Sequence, residues 1–128
     1  MLLSNINSIL IDNGYLFFST PNTNSLEWKT MGESHIQILP PGHVNLYNSK
    51  NISILLEKYN FKVVDILTLN PSLDISYILK TKKENTNSRF EQVFVDLLLE
   101  SEFKTIFSEY LINKRLAGNM FVIARKKL

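Results

Sequence analysis

Two histidines, His35 and His43, lie in an aperiodic stretch running from Pro21 to Tyr47. Imidazole is the side chain best suited to exchanging a proton near neutral pH. His43, directly after Pro40-Pro41-Gly42, could take a proton from a hydroxyl or an amine. It could equally hold its loop by hydrogen bonding. The same stretch opens with Pro21-Asn22, which follows an apolar run and reads either as a wall of a ligand crevice or as a turn, since both residues favour turns. Trp28 and Tyr47 are apolar groups carried on a loop. With Met31 they suit a lid over a ligand, although packing beneath the loop is the better reading for Tyr47. The candidate binding residues are therefore Pro21, Asn22, Trp28, His35 and Tyr47, with His43 as the candidate proton acceptor.

Other chemistries find less support. His35 and His43 with Glu27 or Glu33 match no compact metal-ligand spacing, so no metal is expected. The chain has no cysteine, which excludes a disulfide framework, a thiolate metal site and a cysteine nucleophile. Serines and threonines are plentiful, but no Gly-x-Ser-x-Gly elbow occurs. The four glycines stand alone at 14, 32, 42 and 118, so no glycine-rich phosphate cradle is present in these residues. A net charge of +2 is too small to argue for nucleic acid. Arg125, Lys126 and Lys127 read as a solvated tail. No apolar run approaches the length of a membrane span. Residues 1–12 lack the features of a signal peptide. A soluble cytoplasmic protein is expected.

These residues need elements to position them. The 128 residues, 45% hydrophobic and 20% charged, suit a single globular domain spanning 1–128. Leu2, Leu3, Ile6, Ile9 and Leu10 form one helical stripe within residues 2–12, closed by Asn13-Gly14, where glycine tolerates the left-handed conformation. Residues 15–20 read as a strand, and their unbroken apolar run predicts burial on both faces. The loop from Pro21 to Tyr47 holds three of the four prolines and two of the four glycines, with a short helical turn over 25–31. A segment this long without a period is usually functional. Asn48 or Ser49 caps a helix whose face is Ile52, Leu55, Leu56 and Tyr59. Asn60 ends it, and residues 61–69 form a second strand. Residues 72–80 favour a helix and 82–88 a loop. Phe90, Val93, Phe94, Leu97 and Leu98, then Phe103, Ile106, Phe107, Tyr110 and Leu111, predict one or two helices with core or dimer faces. Residues 120–124 form a third strand. Strands alternating with helices give an α/β fold.

Three stretches together resemble one family. "LLSNINSILIDNGYLFFSTPN" is similar to the helix, glycine turn and fifth strand of class I S-adenosylmethionine-dependent methyltransferases, in particular their ubiquinone-methyltransferase-like and type 23-like members. "GHVNLYNSKNISILLEKYNFKVVDI" resembles their later His-containing loop, helix and sixth strand. "GNMFVIARKK" resembles the seventh strand. The resemblance implies a partial Rossmann-like methyltransferase fold: a three-stranded mixed sheet whose last strand is central and antiparallel, flanked by helices, with a helical insert at about 72–117. Such enzymes hold the cofactor on a glycine-rich turn and an acidic residue at the ends of their first strands, and no G-x-G occurs here. The chain is therefore expected to be the C-terminal, substrate-side half, lacking the N-terminal cofactor-binding half. S-adenosylmethionine is implied for the parent enzyme and is not expected to bind this segment. His43 would be the proton acceptor, although methyl transfer often needs little beyond alignment, which favours a loop-holding role. The acceptor would be a small molecule or a glycan-like group. The alternative is a non-enzymatic remnant that dimerises or binds a partner. The expected partner is the missing half or a second copy, through strand 15–20 and helix 2–12, because an unpaired apolar edge invites pairing. No nucleic acid and no membrane are expected.

Overall fold

A computed structural model of the chain describes residues 2–35, 45–68, 80, 84 and 87–128. Helix α1 (Leu2–Ile9) leads into strand β1 (Tyr15–Pro21). A short helix α2 (Leu26–Met31) and a 3-10 turn (Gly32–Ser34) follow. Helix α3 (Ser49–Lys58) precedes strand β2 (Phe61–Leu67). Two consecutive helices, α4 (Arg89–Leu99) and α5 (Ser101–Asn113), then lead to strand β3 (Asn119–Lys126). The helix expected over 72–80, the loop over 82–88 and the 72–117 insert fall partly outside the described residues, and His43 lies outside them. No helix among the described residues is long and apolar enough to cross a membrane.

The sheet order is β1-β3-β2, with β3 antiparallel to both neighbours. This is the arrangement expected from the resemblance, a last strand inserted between the other two. It also makes β1 and β2 mutually parallel, so their carboxyl ends emerge at one edge beside the start of β3.

Register decides which residues share a face. Leu16 opposes Ala124, Phe18 opposes Val122, and Thr20 opposes Met120. Met120, Val122 and Ala124 are buried with Ile52, Leu56, Phe61 and Ile66, and Leu3, Ile6 and Leu10 of the α1 segment pack on this cluster. Helices α1 and α3 therefore cover one face. On the other face Tyr15 is 50% and Phe17 56% exposed. The expectation that β1 is buried on both faces is thus corrected: its apolar residues alternate between a packed face and an open one.

The turn after α1 corrects a second expectation. The helix ends at Ile9 rather than 12, and Asn13, not Gly14, takes the left-handed conformation, with φ 62°. Glycine is needed at 14 for a different reason: a Cβ there would lie 2.7 Å from the Ile11 carbonyl oxygen. Asn60, at φ 63°, plays the same left-handed role after α3, since asparagine tolerates this region better than other L-residues. Asn48 caps α3, its side chain accepting from the N–H groups of Lys50 and Asn51 while the Asn51 side chain accepts from the Asn48 N–H.

Helices α4 and α5 meet through Val95, Leu98, Leu99, Phe107 and Leu111, together with Leu26 and Leu116. Most of the residues expected to form their core faces point elsewhere: Phe90, Val93, Phe94, Leu97, Phe103, Ile106 and Tyr110 are all exposed. The helical period is as expected, but the side turned inward is centred on Val95 and on Phe107 and Leu111. Both helices are apolar on more than one side, so periodicity alone does not choose.

Candidate functional site

The carboxyl end of β1 is fastened by one side chain. Asn22 is buried. Its Nδ2 donates to the carbonyls of Ala117 (3.1 Å) and Arg115 (3.3 Å), and its Oδ1 accepts from the Asn24 N–H at 3.0 Å. Its own N–H donates to the Gly118 carbonyl at 2.7 Å. Thr23 N–H donates to the Tyr47 carbonyl at 2.8 Å, and Leu26 N–H to the Leu116 carbonyl at 3.0 Å. Asn22 thus joins the end of β1 to the turn that feeds β3, and Tyr47 is bridged to it in parallel fashion. Pro21, paired with Asn119, is the last residue of the strand.

The adjoining end of β2 is shaped by a bulge between Val63 and Asp65. In plain alternation Asp65 would share the core-facing phase of Phe61 and Val63. The extra residue, Val64, turns Asp65 to the opposite face and gives the core position to Ile66, which opposes Val122. Asp65 Oδ1 accepts from the Ile66 N–H at 2.8 Å and from Arg115 Nη2 at 3.2 Å. Thr68, buried just beyond β2, donates its hydroxyl to the Ile112 carbonyl at 3.1 Å.

Arg115 stands where a glycine is usual. After α5, Arg115 N–H donates to the Ile112 carbonyl (3.0 Å) and Leu116 N–H to the Leu111 carbonyl (2.7 Å). This is the paired closure that ends many helices and needs a left-handed residue. Arg115 provides it at φ 57°, a conformation that costs an ordinary L-residue roughly 1–2 kcal/mol.

Between these groups opens a cleft of about 230 Å³, lined by Leu67, Thr68, Ile112, Asn113 and Arg115. A smaller cavity of about 30 Å³ shares Thr68 and Arg115 with it and reaches Asn22, Asn24 and Ser49. The cleft lies outside the carboxyl end of β2, and the smaller cavity reaches from there to Asn22 after β1; open α/β sheets place their ligands outside such strand ends.

A second group forms around α2. Ser25 caps the helix, its hydroxyl accepting from the Trp28 N–H at 3.0 Å, and its own N–H donates to the Asn22 carbonyl at 3.0 Å. Gly32, at φ 53°, reverses the chain. His35 returns to Glu27, with Nε2 and Oε2 3.4 Å apart and both side chains buried. The Trp28 and His35 rings lie 6.1 Å apart, tilted by 37°. Trp28 and His35 are therefore neighbours, and Asn22 and Tyr47 are neighbours. Glu33 is exposed, and among the described residues no three His, Cys, Asp or Glu side chains gather as metal ligands would.

A family model described as a methyltransferase domain matches residues 1–66. The chain belongs to the methyltransferase-domain family. The match runs from α1 through β1 and α3 into β2. No curated protein matches the chain. The methyl donor implied by the resemblance, S-adenosylmethionine, does not fit the described cleft. About 230 Å³ is below the roughly 300–1,000 Å³ of small-molecule pockets. The only charged residue lining it, among the described residues, is Arg115, and no acidic side chain lines it to receive the donor's sulfonium or ammonium. Asp65, the nearby carboxylate that could take ribose hydroxyls, is engaged by Arg115 and the Ile66 N–H.

Sequence reasoning did not single out Arg115, Asp65 or Thr68. One signal was present. The helix ending in Asn113 runs on through Lys114, Arg115, Leu116 and Ala117 to Gly118, so the glycine comes three residues too late to provide the left-handed closure.

Proposed function

We propose that this chain forms the acceptor-side half of a methyl-transferring crevice, within the ubiquinone-methyltransferase-like branch of its family. S-adenosylmethionine would be the donor, held by a complementary half, and the acceptor would be a small molecule or a glycan-like group. Pro21 and Asn22 form one wall of the crevice. Trp28, His35 and Tyr47 shape the acceptor side, and His43 takes the proton where the acceptor must lose one. The reading places the protein in the cytoplasm. The observation that carries it is the antiparallel β3 between two parallel strands, with a cavity at their carboxyl ends that Asn22 and Thr68 both line and that shares Thr68 and Arg115 with the cleft. The test is co-expression of this chain with an N-terminal methyltransferase half that carries a strand followed by a glycine-rich turn, which should give donor-dependent release of S-adenosylhomocysteine. A co-expressed pair that neither associates nor turns over would refute the proposal.

A second reading, a dimerising remnant of such a domain, is favoured by one feature. Tyr15 and Phe17, with stacked rings 6.1 Å apart, lie exposed on β1, and Leu2, Ile9 and Ile11 are exposed on the α1 segment. Under this reading a second copy covers that surface.

A further inference from the structure

Arg115 is an unexpected residue in three respects. It occupies the left-handed closing position of α5, which favours glycine. Its guanidinium is held on one side by Asp65, which the β2 bulge has turned toward it. It lines both the cleft and the smaller cavity behind it, and is the only charged residue to do so among the described residues. Strained backbone held in place by its surroundings is a feature of ligand sites.

The Asp65 pair alone is a weak reason for keeping arginine here. Its side chains are 59% and 41% exposed, and exposed pairs contribute little. Asp65 engages only Nη2 of a guanidinium that carries five N–H donors. No other hydrogen bond is made by this guanidinium among the described residues. Beside it the lining carries the uncharged polar groups of Asn24, Ser49, Thr68 and Asn113, along with apolar Leu67 and Ile112. A planar cation with amide and hydroxyl groups beside it matches an anionic oxygen group, which arginine grips through two parallel N–H bonds.

We infer that Arg115 is the anion-recognising residue of the acceptor site, and that the acceptor carries a carboxylate or a phosphate. The inference rests on the acceptor-side reading of this cleft. Arg115 fixes the acceptor by its charged end, and Asp65 holds the guanidinium in the orientation that receives it.

Amide-resolved NMR titration of the full chain with sodium phosphate, and separately with sodium acetate, at matched ionic strength, tests this without any methyl donor. Failure here leaves the methyl-transfer reading to its own donor-dependent assay. Saturable shifts are expected at Asn24, Ser49, Thr68 and Arg115. Tighter phosphate binding points to a phosphorylated acceptor, and tighter acetate binding to a carboxylate. Arg115→Gly, which suits the left-handed backbone and so keeps the fold, should weaken binding at least about tenfold, and Arg115→Lys should weaken it less. Three results would overturn the inference: no saturable shift with either anion, equal binding by Arg115→Gly, or shifts confined to Arg125, Lys126 and Lys127, the mark of an adventitious ion only.

Discussion

Replacing Arg115 by glycine should leave a more stable fold than replacing it by alanine. At φ 57° arginine bears a left-handed cost of roughly 1–2 kcal/mol, which glycine relieves. Glycine gives back about 0.5–1 kcal/mol through the greater freedom of the unfolded chain. Both substitutions lose the pair with Asp65. With side chains 59% and 41% exposed, that loss is about 0.2–1 kcal/mol. The glycine variant therefore falls within about 1 kcal/mol of wild type by these terms. Alanine keeps the strain and loses the pair, and should sit roughly 0.5–1 kcal/mol below glycine. Urea denaturation followed by the fluorescence of Trp28, the chain's single tryptophan, resolves such a difference. A glycine variant less stable than the alanine variant would refute the reasoning, because the left-handed position would then carry no strain. Asp65→Ala alone and combined with each variant separates the pair from the backbone term.

Other consequences can be checked with the same assay. Asn22→Ala strips the buried Ala117 carbonyl and the part-buried Arg115 carbonyl of their shared donor and should cost about 1–3 kcal/mol. Asn22→Asp should cost more, because it sets a carboxylate against those carbonyls; a neutral result would mean the corner is not held by this amide. Gly14→Ala places a Cβ 2.7 Å from a backbone oxygen and 3.0 Å from Leu10 Cδ2, and should destabilise by about 1–3 kcal/mol, whereas a left-handed residue would have been the concern at Asn13. If a second copy covers β1 and α1, light scattering at tens of micromolar should give twice 14.8 kDa, and Phe17→Glu should halve it. A monomeric wild type would dispose of that surface as a dimer contact.

The sheet was legible in the sequence because its strands carry their own punctuation. Asn60, Asn13 and Asn48 mark element ends by the local hydrogen bonding and left-handed tolerance of asparagine, and the resemblance supplied the order that puts the last strand in the middle. Faces were harder to read. The run from Tyr15 to Phe18 is apolar on both sides, so composition could not distinguish a strand with one open face from one buried on both. Helices α4 and α5 posed the same difficulty. The cleft was the least legible part. The turning of Asp65 depends on a bulge, and a bulge is a misfit between two strands rather than a property of one. Arg115 gains its meaning from a backbone angle and from a partner fifty residues away. Asn22 stood out early as the end of a strand, but its tie to the turn before β3 needed the tertiary structure.

The central claim is that this chain, a member of the methyltransferase-domain family, supplies the acceptor side of a crevice and not the donor site. Isothermal titration calorimetry of the chain alone with S-adenosylmethionine tests it most directly. The account predicts no saturable heat, because the described cleft is smaller than an ordinary small-molecule pocket and no acidic side chain among the described residues lines it to receive the donor's cationic groups. Saturable binding in the micromolar range by the chain alone would contradict it.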